Sequence, residues 1–379
     1  GGAFNLPSRV VVQGLGGPAP QTDEPRLGRA PAGGIVQLSL QNINEHVLVA
    51  GMSNTGKSTL VTGMVEQLWN DHGVPSIVID PQGAVDEAGP PSSYREAMCR
   101  LGVRSGRAPR ILRIGRGAPP VNLFRPPDPD WTGDFAVGVT ECLDQAWQLR
   151  DAFPFAYEIV QSAVFQEMSR AQPTWGSLVR SIRAEIAGHG GRRVDNVEAA
   201  KASLVARLRE FSMGPLGESL AAPLSASPDW PSLTEGPLLI ELAFTDPASV
   251  RMAGSLVLTG LSSHWKAQGL SALRHVVVLE EAHQFLPRGS DGRTPRLTDL
   301  VTNGLSEDRK HGVGYVLVDQ APDRLGGVAA DLASTVVALR STVPDSHMLA
   351  AKLGELALAA SLPVLPNHEA YIRGSGIEL

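Results

Sequence analysis

Short, continuous runs of apolar and β-branched residues recur along the chain and predict buried strands. They lie at 45–50, 75–80, 110–114, 237–242, 275–280, 314–319 and 335–339. Such runs are typical of strands that helices cover on both faces of a sheet. Apolar residues at helical spacing occupy 57–71 and 250–265. Strands that alternate with helices predict an α/β fold with a mostly parallel, doubly wound central sheet flanked by helices.

Residues 122–235 differ, because helical periodicity replaces the strand-like runs. Apolar residues lie three or four apart in four segments, at 131–150, 154–169, 174–187 and 195–211. Thr174 follows a proline and is placed to cap the third of these helices. We therefore predict a helical insertion at 122–235, within an α/β core formed by 35–121 and 236–379.

The region before the core, residues 1–34, is rich in glycine and proline. We interpret it as a linker or as the remnant of an N-terminal module. An edge strand is expected at 35–40, leading into the first buried strand.

Composition narrows the class of protein. Of 379 residues, 42% are hydrophobic and 19% are charged, and no apolar run approaches the ~20 residues of a membrane span. The first residues lack the basic and apolar regions of a signal peptide. Two cysteines, Cys99 and Cys142, fit a reducing compartment, so we expect a cytoplasmic protein. The net charge of −6 predicts that any contact with nucleic acid is local.

A glycine-rich stretch follows the run at 45–50 and has the P-loop spacing G-x-x-x-x-G-K-S. In a P-loop, backbone N–H groups point at a phosphate, the lysine reaches the β- and γ-phosphates and the serine hydroxyl binds Mg²⁺. The strand before it and the helix after it supply the required context, whereas an ordinary glycine turn would leave Lys57 unexplained. The predicted nucleotide-binding residues are Gly51, Ser53, Asn54, Thr55, Gly56, Lys57, Ser58 and Thr59.

Two adjacent acids stand at the end of the apolar strand predicted at 275–280: Glu280 is its last residue and Glu281 follows it. A P-loop ATPase needs one acid to hold Mg²⁺ through water and gains from a second that activates the attacking water. Glu280 suits the metal role and Glu281 the catalytic role, since a buried carboxylate must be paired or bind a cation. The alternative is a solvated strand end with two surface acids.

Two further side chains, Gln320 and Arg309, flank the strand predicted at 314–319. A polar residue at the end of that strand would lie beside the γ-phosphate and sense it; otherwise Gln320 only caps a loop. An arginine just before the strand can reach a neighbouring subunit's nucleotide as an arginine finger. Taken alone, Arg309 is more often a surface charge.

These pieces, in this order, resemble the HerA branch of the HerA–FtsK superfamily of P-loop motor ATPases. Besides the P-loop, the matching motifs are IDPQG at 79–83, VNLF at 121–124, EEAH at 280–283, RKHGV at 309–313, DQAP at 319–322, LPVLP at 362–366 and AYIRG at 370–374. The resemblance implies a RecA-like (ASCE) P-loop NTPase core with the acid pair on a strand beside the P-loop strand. It also implies a hexameric ring, with ATP and Mg²⁺ between subunits and double-stranded DNA in the pore.

The resemblance assigns a role to each candidate residue. It implies that Lys57 and Ser58 bind the nucleotide and Mg²⁺, and that Glu281 is the catalytic carboxylate. It further implies that Gln320 is a sensor and that Arg309 is a finger acting on the neighbouring subunit.

Four features depart from the family pattern. Asn54 stands where the family often has glycine, although asparagine tolerates left-handed backbone better than most residues. Ser306 stands where many members have an additional arginine, and 82–85 lack the usual His-Gly-Glu. The N-terminal β-barrel of typical HerA proteins, which helps to assemble the ring and recruit a nuclease, is absent or reduced to 1–34.

The segment after the EEAH motif carries three arginines, Arg288, Arg293 and Arg296. In a ring it would form a pore loop that contacts DNA phosphates; the alternative is a solvated surface loop. No basic stretch rich in aromatic residues suggests stacking on single-stranded bases, so we favour tracking of a duplex backbone.

Taken together, the sequence favours an ATP-driven motor that translocates double-stranded DNA as an oligomeric ring. The alternative is a non-translocating ATPase or scaffold that assembles with a nuclease or other effector, for example in phage defence, and switches state with ATP. A small-molecule kinase is disfavoured, because no arginine-rich lid follows the core and the acid pair suits water activation.

Overall fold

The structure is a computed structural model and describes residues 8–11, 25–30, 35–82, 92–105, 110–170, 173–188, 195–286, 304–325 and 331–374. Its strands form one sheet. They are β1 (Ser8–Val11), β2 (Arg26–Arg29), β3 (Ile35–Gln37), β4 (Val47–Ala50), β5 (Ser76–Asp80), β6 (Ile111–Gly115), β7 (Leu238–Ala243), β8 (His275–Glu280), β9 (Val313–Asp319), β10 (Thr335–Leu339) and β11 (Glu369–Arg373). Their order across the sheet is β3-β2-β1-β11-β10-β4-β9-β8-β5-β7-β6.

Helices cover the sheet and fill the segment between β6 and β7. They are α1 (Leu40–Asn44), α2 (Lys57–His72), α3 (Ser93–Ser105), α4 (Thr132–Trp147), α5 (Leu149–Ala152), α6 (Pro154–Met168), α7 (Trp175–Gly188), α8 (Asp195–Met213), α9 (Pro215–Leu220), α10 (Trp230–Thr234), α11 (Pro247–Ala267) and α12 (Val343–Leu353). Among these described helices, none is both long and apolar enough to cross a bilayer.

The strands from β10 to β6 run parallel to one another, which confirms the predicted mostly parallel α/β sheet. Every residue of β4, β8 and β9 is buried, as their continuous apolar runs predicted. One detail of the prediction is wrong. The acid-bearing strand β8 does not lie beside the P-loop strand β4, because β9 pairs with both of them and separates them.

The far edge of the sheet is antiparallel and includes part of the region that the sequence indicated as a linker. β11 pairs with β10 and β1, and β1 pairs with β2. Gln67 on α2 anchors β2 by accepting a hydrogen bond from the backbone N–H of Arg26 and donating one to its carbonyl (2.9 and 3.1 Å). Residues 8–11 and 26–29 are therefore strands of this sheet, and the interpretation of 1–34 as a linker or as the remnant of an N-terminal module stays a prediction.

The predicted helical insertion is helical in the structure, and α4 to α10 lie within 122–235. Thr174 caps α7 as predicted, since its Oγ1 accepts a hydrogen bond from the Ser177 N–H (3.1 Å). Buried side chains of these helices belong to one hydrophobic core with residues of the sheet. Phe124 stacks on Trp175 at 5.7 Å between ring centroids, and Trp175 lies 6.5 Å from Trp147. The division into a core and an insertion stays a prediction.

Candidate nucleotide-binding site

The predicted P-loop joins a strand to a helix at the carboxyl edge of the parallel strands. β4 ends at Ala50 and α2 begins at Lys57. The turn needs left-handed backbone at Asn54 (φ 60°) and Gly56 (φ 110°). Asparagine and glycine are the residues that adopt this conformation most readily, so the replacement of glycine by Asn54 preserves the loop.

The side chain of Lys57 is buried in the loop. Its Nζ donates hydrogen bonds to the carbonyl oxygens of Gly51 (2.6 Å) and Met52 (2.8 Å). Burial lowers the pKa of Lys57, and nearby carboxylates oppose this effect by favouring the ammonium form. Those carboxylates belong to Glu280, Glu281 and Asp319. The ammonium group of Lys57 is thus held at the loop, facing acids at the ends of β8 and β9.

Glu280, the last residue of β8, is buried beside the P-loop. Burial raises its pKa to about 7; a hydrogen bond from Tyr94 opposes the increase, and Asp80 contributes to it. The Tyr94 hydroxyl donates to Glu280 Oε2 at 2.5 Å. Two neighbouring carboxyl groups in a buried place favour either a proton or a bound cation, so Glu280 and Asp80 mark a candidate cation position.

The residues at that position fit Mg²⁺. The side chain of Ser58 lies beside the Tyr94 hydroxyl and opposes the increase in the pKa of Tyr94, so the P-loop serine and Glu280 adjoin the same tyrosine. A hydroxyl and carboxylates supply the oxygen ligands that Mg²⁺ prefers in nucleotide sites. Ser58 and Glu280, the predicted metal residues, are therefore brought together at one place.

Glu281 occupies the first position of a turn that follows β8, with left-handed backbone (φ 49°) and a side chain that is almost fully buried. Non-glycine residues in this conformation are uncommon and often lie at functional sites. Its Oε1 accepts hydrogen bonds from the side-chain amides of Gln320 and of Gln82 (3.2 Å for Gln82). Burial raises the pKa of Glu281, and the charge of Asp319 adds to this effect.

Gln320 connects this carboxylate to the P-loop. Its Nε2 donates to Glu281, and its Oε1 accepts a hydrogen bond from the hydroxyl of Ser53. The structure therefore brings the predicted sensor, the predicted catalytic acid and a P-loop side chain into one chain of hydrogen bonds. The roles of Gln320 and Glu281 stay predictions.

The sequence prediction missed four side chains of this site. Gln82 and Tyr94 contact the two glutamates, whereas His283 and Asp319 contact each other. Gln82, His283 and Asp319 lie inside the motifs IDPQG, EEAH and DQAP, which carry the family resemblance. Membership of these motifs could therefore have identified them as site residues. Tyr94 lies on α3 outside any of those motifs.

Arg309 lies at the amino-terminal end of the parallel strands, whereas the P-loop lies at their carboxyl end. It precedes β9, whose seven residues span roughly 20 Å at ~3.3 Å per residue. Its side chain is half exposed and forms an ion pair with Glu45 (3.0 Å). Arg309 therefore does not reach the P-loop of its own chain, and its role as a finger stays a prediction. Arg288, Arg293 and Arg296 lie outside the described residues.

A cavity of about 650 Å³ adjoins the site on the side of His283. It is lined by His283 and Gln284 after β8, by Asp246 and Arg251 of the α11 region and by Arg324 after β9. No P-loop residue lines it, so we place the nucleotide at the P-loop and not in this cavity.

A P-loop after β4, two acids at the end of β8 and a polar side chain after the intervening β9 define the RecA-like P-loop NTPase fold. Residues 26–93 match the family model described as "Helicase HerA, central domain". The match and the fold confirm the predicted resemblance to HerA-like P-loop ATPases of the HerA–FtsK superfamily.

Solved structures share the fold over nearly the whole chain. The bacterial conjugative coupling protein TrwB, in its unbound form, is 14% identical, with a TM-score of 0.64 and coverage of 99% of this chain and 93% of that one. TrwB in complex with ADP and Mg²⁺ is 13% identical, with a TM-score of 0.64 and coverage of 99% and 94%. VirB4 of Thermoanaerobacter pseudethanolicus is 14% identical, with a TM-score of 0.67 and coverage of 96% and 98%. No curated protein matches the sequence.

Proposed function

We propose that this chain binds ATP with Mg²⁺ at the P-loop and hydrolyses it. The observation that carries the proposal is the buried Glu281, whose carboxylate is joined through Gln320 to Ser53 of the P-loop. Lys57 would bind the phosphates, and Ser58 with Glu280 would hold the metal ion, which supplies charge stabilisation at the phosphates. TrwB, which shares this fold, has been solved with ADP and Mg²⁺.

In this proposal Glu281 is the general base. A carboxylate activates water best when its pKa is raised toward the operating pH, and burial raises the pKa of Glu281. Gln82 and Gln320 orient its Oε1, so a water molecule on the phosphate side would meet a fixed acceptor. Gln320 would exchange its present partners for the γ-phosphate and so report that ATP is bound.

The proposal extends to assembly and to DNA. Arg309 lies at the end of the parallel strands away from its own P-loop. It would therefore complete the site of a neighbouring subunit in a ring. The family resemblance leads us to expect six subunits. The ring would translocate double-stranded DNA, contacted by Arg288, Arg293 and Arg296. A reducing, cytoplasmic location belongs to the same proposal, since Cys99 and Cys142 are both free thiols.

The test is ATP turnover measured with and without duplex DNA, together with the mass of the particle in ATP and duplex. The motor proposal predicts faster turnover with duplex, a ring-sized mass and directional movement along DNA. A triple Arg288, Arg293 and Arg296 to Ala variant should lose the stimulation and keep basal turnover. Turnover that ignores duplex in both proteins would instead favour the non-translocating ATPase or scaffold that acts with a nuclease or other effector.

A further inference from the structure

We propose that His283 is a positioning residue for Glu281, which it orients through its Nδ1 atom while Asp319 holds the imidazole in place. This inference rests on the proposed role of Glu281 in ATP hydrolysis. It adds two residues that the motif-based assignments leave without a function.

The imidazole is fixed by a buried acid. Asp319, the last residue of β9, is fully buried. Its carboxylate accepts a hydrogen bond from the backbone N–H of His283 (2.7 Å), and His283 Nδ1 lies 3.0 and 3.2 Å from its two oxygens. Since a carboxylate can only accept, Nδ1 carries the hydrogen. This hydrogen bond raises the pKa of His283, as expected for a charge-stabilised imidazole.

The same Nδ1 atom faces the catalytic candidate. It lies 3.6 Å from Glu281 Oε2. The amides of Gln82 and Gln320 both donate to the other oxygen, Oε1. Glu281 is therefore flanked on two sides, by amides at Oε1 and by the imidazole at Oε2. When Gln320 turns to a phosphate, the imidazole would still restrain the carboxylate.

Asp319 also ties this arrangement to the phosphate-binding loop. Its backbone carbonyl accepts a hydrogen bond from the N–H of Gly51 (3.1 Å), and its side chain accepts one from the N–H of Ala321 (2.8 Å). One residue thus fixes the start of the P-loop, the turn that carries Glu281 and the segment that carries Gln320. Because Asp319 contacts all three segments, it would keep the carboxylate of Glu281 at a fixed position relative to a bound phosphate. Orientation of a water molecule requires this fixed position.

Two substitutions separate positioning through Nδ1 from mere packing. In His283→Asn the amide nitrogen lies the same number of bonds from Cα as Nδ1, so the donor to Asp319 is kept, at the position that faces Glu281 Oε2. In His283→Gln the amide nitrogen takes the place of Nε2, and the Nδ1 donor is lost. Neither change removes the backbone hydrogen bond to Asp319.

The experiment measures kcat and KM for ATP in the full chain with Mg²⁺, beside thermal melting of each variant. We expect His283→Gln to lower kcat by about 10- to 100-fold with little change in KM, the range typical for residues that orient a functional group. His283→Asn should stay within about 3-fold of wild type, as should His347→Gln, a control at an exposed position of α12. Should His283→Gln fail to fold, His283→Ala replaces it in the comparison.

Three outcomes would overturn the inference: an unchanged kcat in His283→Gln, an increase in KM alone, or equal losses in the Asn and Gln variants. These outcomes differ from failure of the proposed function, in which the wild-type chain itself would show no ATP turnover.

Discussion

Gln320 donates a hydrogen bond from its side-chain amide to Oε1 of Glu281, and this contact joins the ends of two neighbouring strands. The Oε1 atom of the same Gln320 side chain accepts a hydrogen bond from the hydroxyl of Ser53 in the P-loop. A ligand that displaces Ser53 of the P-loop from Gln320 would therefore change the hydrogen bonds at the carboxylate of Glu281. This is the physical basis on which we assign phosphate sensing to Gln320 and water activation to Glu281.

Glu281→Gln should bind ATP and hydrolyse it poorly. The amide keeps the size of the side chain and removes the proton acceptor, so turnover should fall by about 10²-fold or more. Steady-state hydrolysis and a separate nucleotide titration measure the two properties. Glu218→Gln, at an exposed position of α9, is the matched control, because it makes the same change of side chain away from the site. Full turnover in Glu281→Gln would remove the general base from the mechanism.

Gly56→Ala should abolish tight nucleotide binding. Residue 56 has φ 110°, and a Cβ there would lie 2.8 Å from Nδ1 of His368. The control is Gly63→Ala, in the interior of α2, where a Cβ would meet nothing within 4 Å. That change should raise the stability by about 0.5–1 kcal/mol without loss of binding. Equal binding by both variants would show that the geometry of the loop at Gly56 does not matter.

The stability of the nucleotide-free protein should depend on pH through Glu280. Burial raises the pKa of Glu280 to about 7 from an ordinary value of 4.5. A raised pKa stabilises the fold at pH values below 4.5, and this contribution is lost as the pH rises through 7. Glu280→Gln, which stays neutral, should therefore be more stable than wild type at pH 8, by on the order of 3 kcal/mol.

The measurement for Glu280 is denaturant unfolding of both proteins in chelator at pH 4.5 and pH 8. The difference in free energy of unfolding should be small at the lower pH and appear at the higher one. Glu218→Gln, at an exposed position of α9, serves as the control for a change of one charge. A difference that is the same at both pH values would contradict burial as the cause.

Arg309→Ala should bind ATP and lose turnover. If the residue acts on a neighbour, mixing it with Glu281→Gln protein should restore part of the activity, because some interfaces then combine an intact acid with an intact arginine. Glu45→Ala controls for loss of the surface ion pair, which contributes about 0–1 kcal/mol. A mixture no more active than its separate components would rule out action in trans.

The parts of the site that the sequence predicted are those that strand topology brings together. Glu281 and Gln320 each follow an apolar run, and parallel strands end at the same edge of a sheet, so their proximity to the P-loop could be expected. The pairing order was not predictable in the same way. Nothing in the runs themselves indicates that β9, and not β8, pairs with β4.

Tyr94 shows why the rest could not be predicted. Its hydroxyl meets Glu280 across 186 positions of sequence, and the contact depends on how α3 packs against the sheet. No periodicity or spacing encodes that packing. β2 is a similar case, since its four residues include only one large apolar side chain, Leu27, and the strand is fixed by Gln67 of another element.

The central claim is that the P-loop of this chain binds and hydrolyses ATP, and Lys57→Ala tests it most directly. ATP turnover should be measured with Mg²⁺ for wild type, for Lys57→Ala and for Lys352→Ala, a control on α12. The account predicts turnover in wild type and in the control, and none above background in Lys57→Ala. The reason is that this variant lacks the buried ammonium group that would bind the phosphates. Wild-type turnover in a folded Lys57→Ala protein would contradict it.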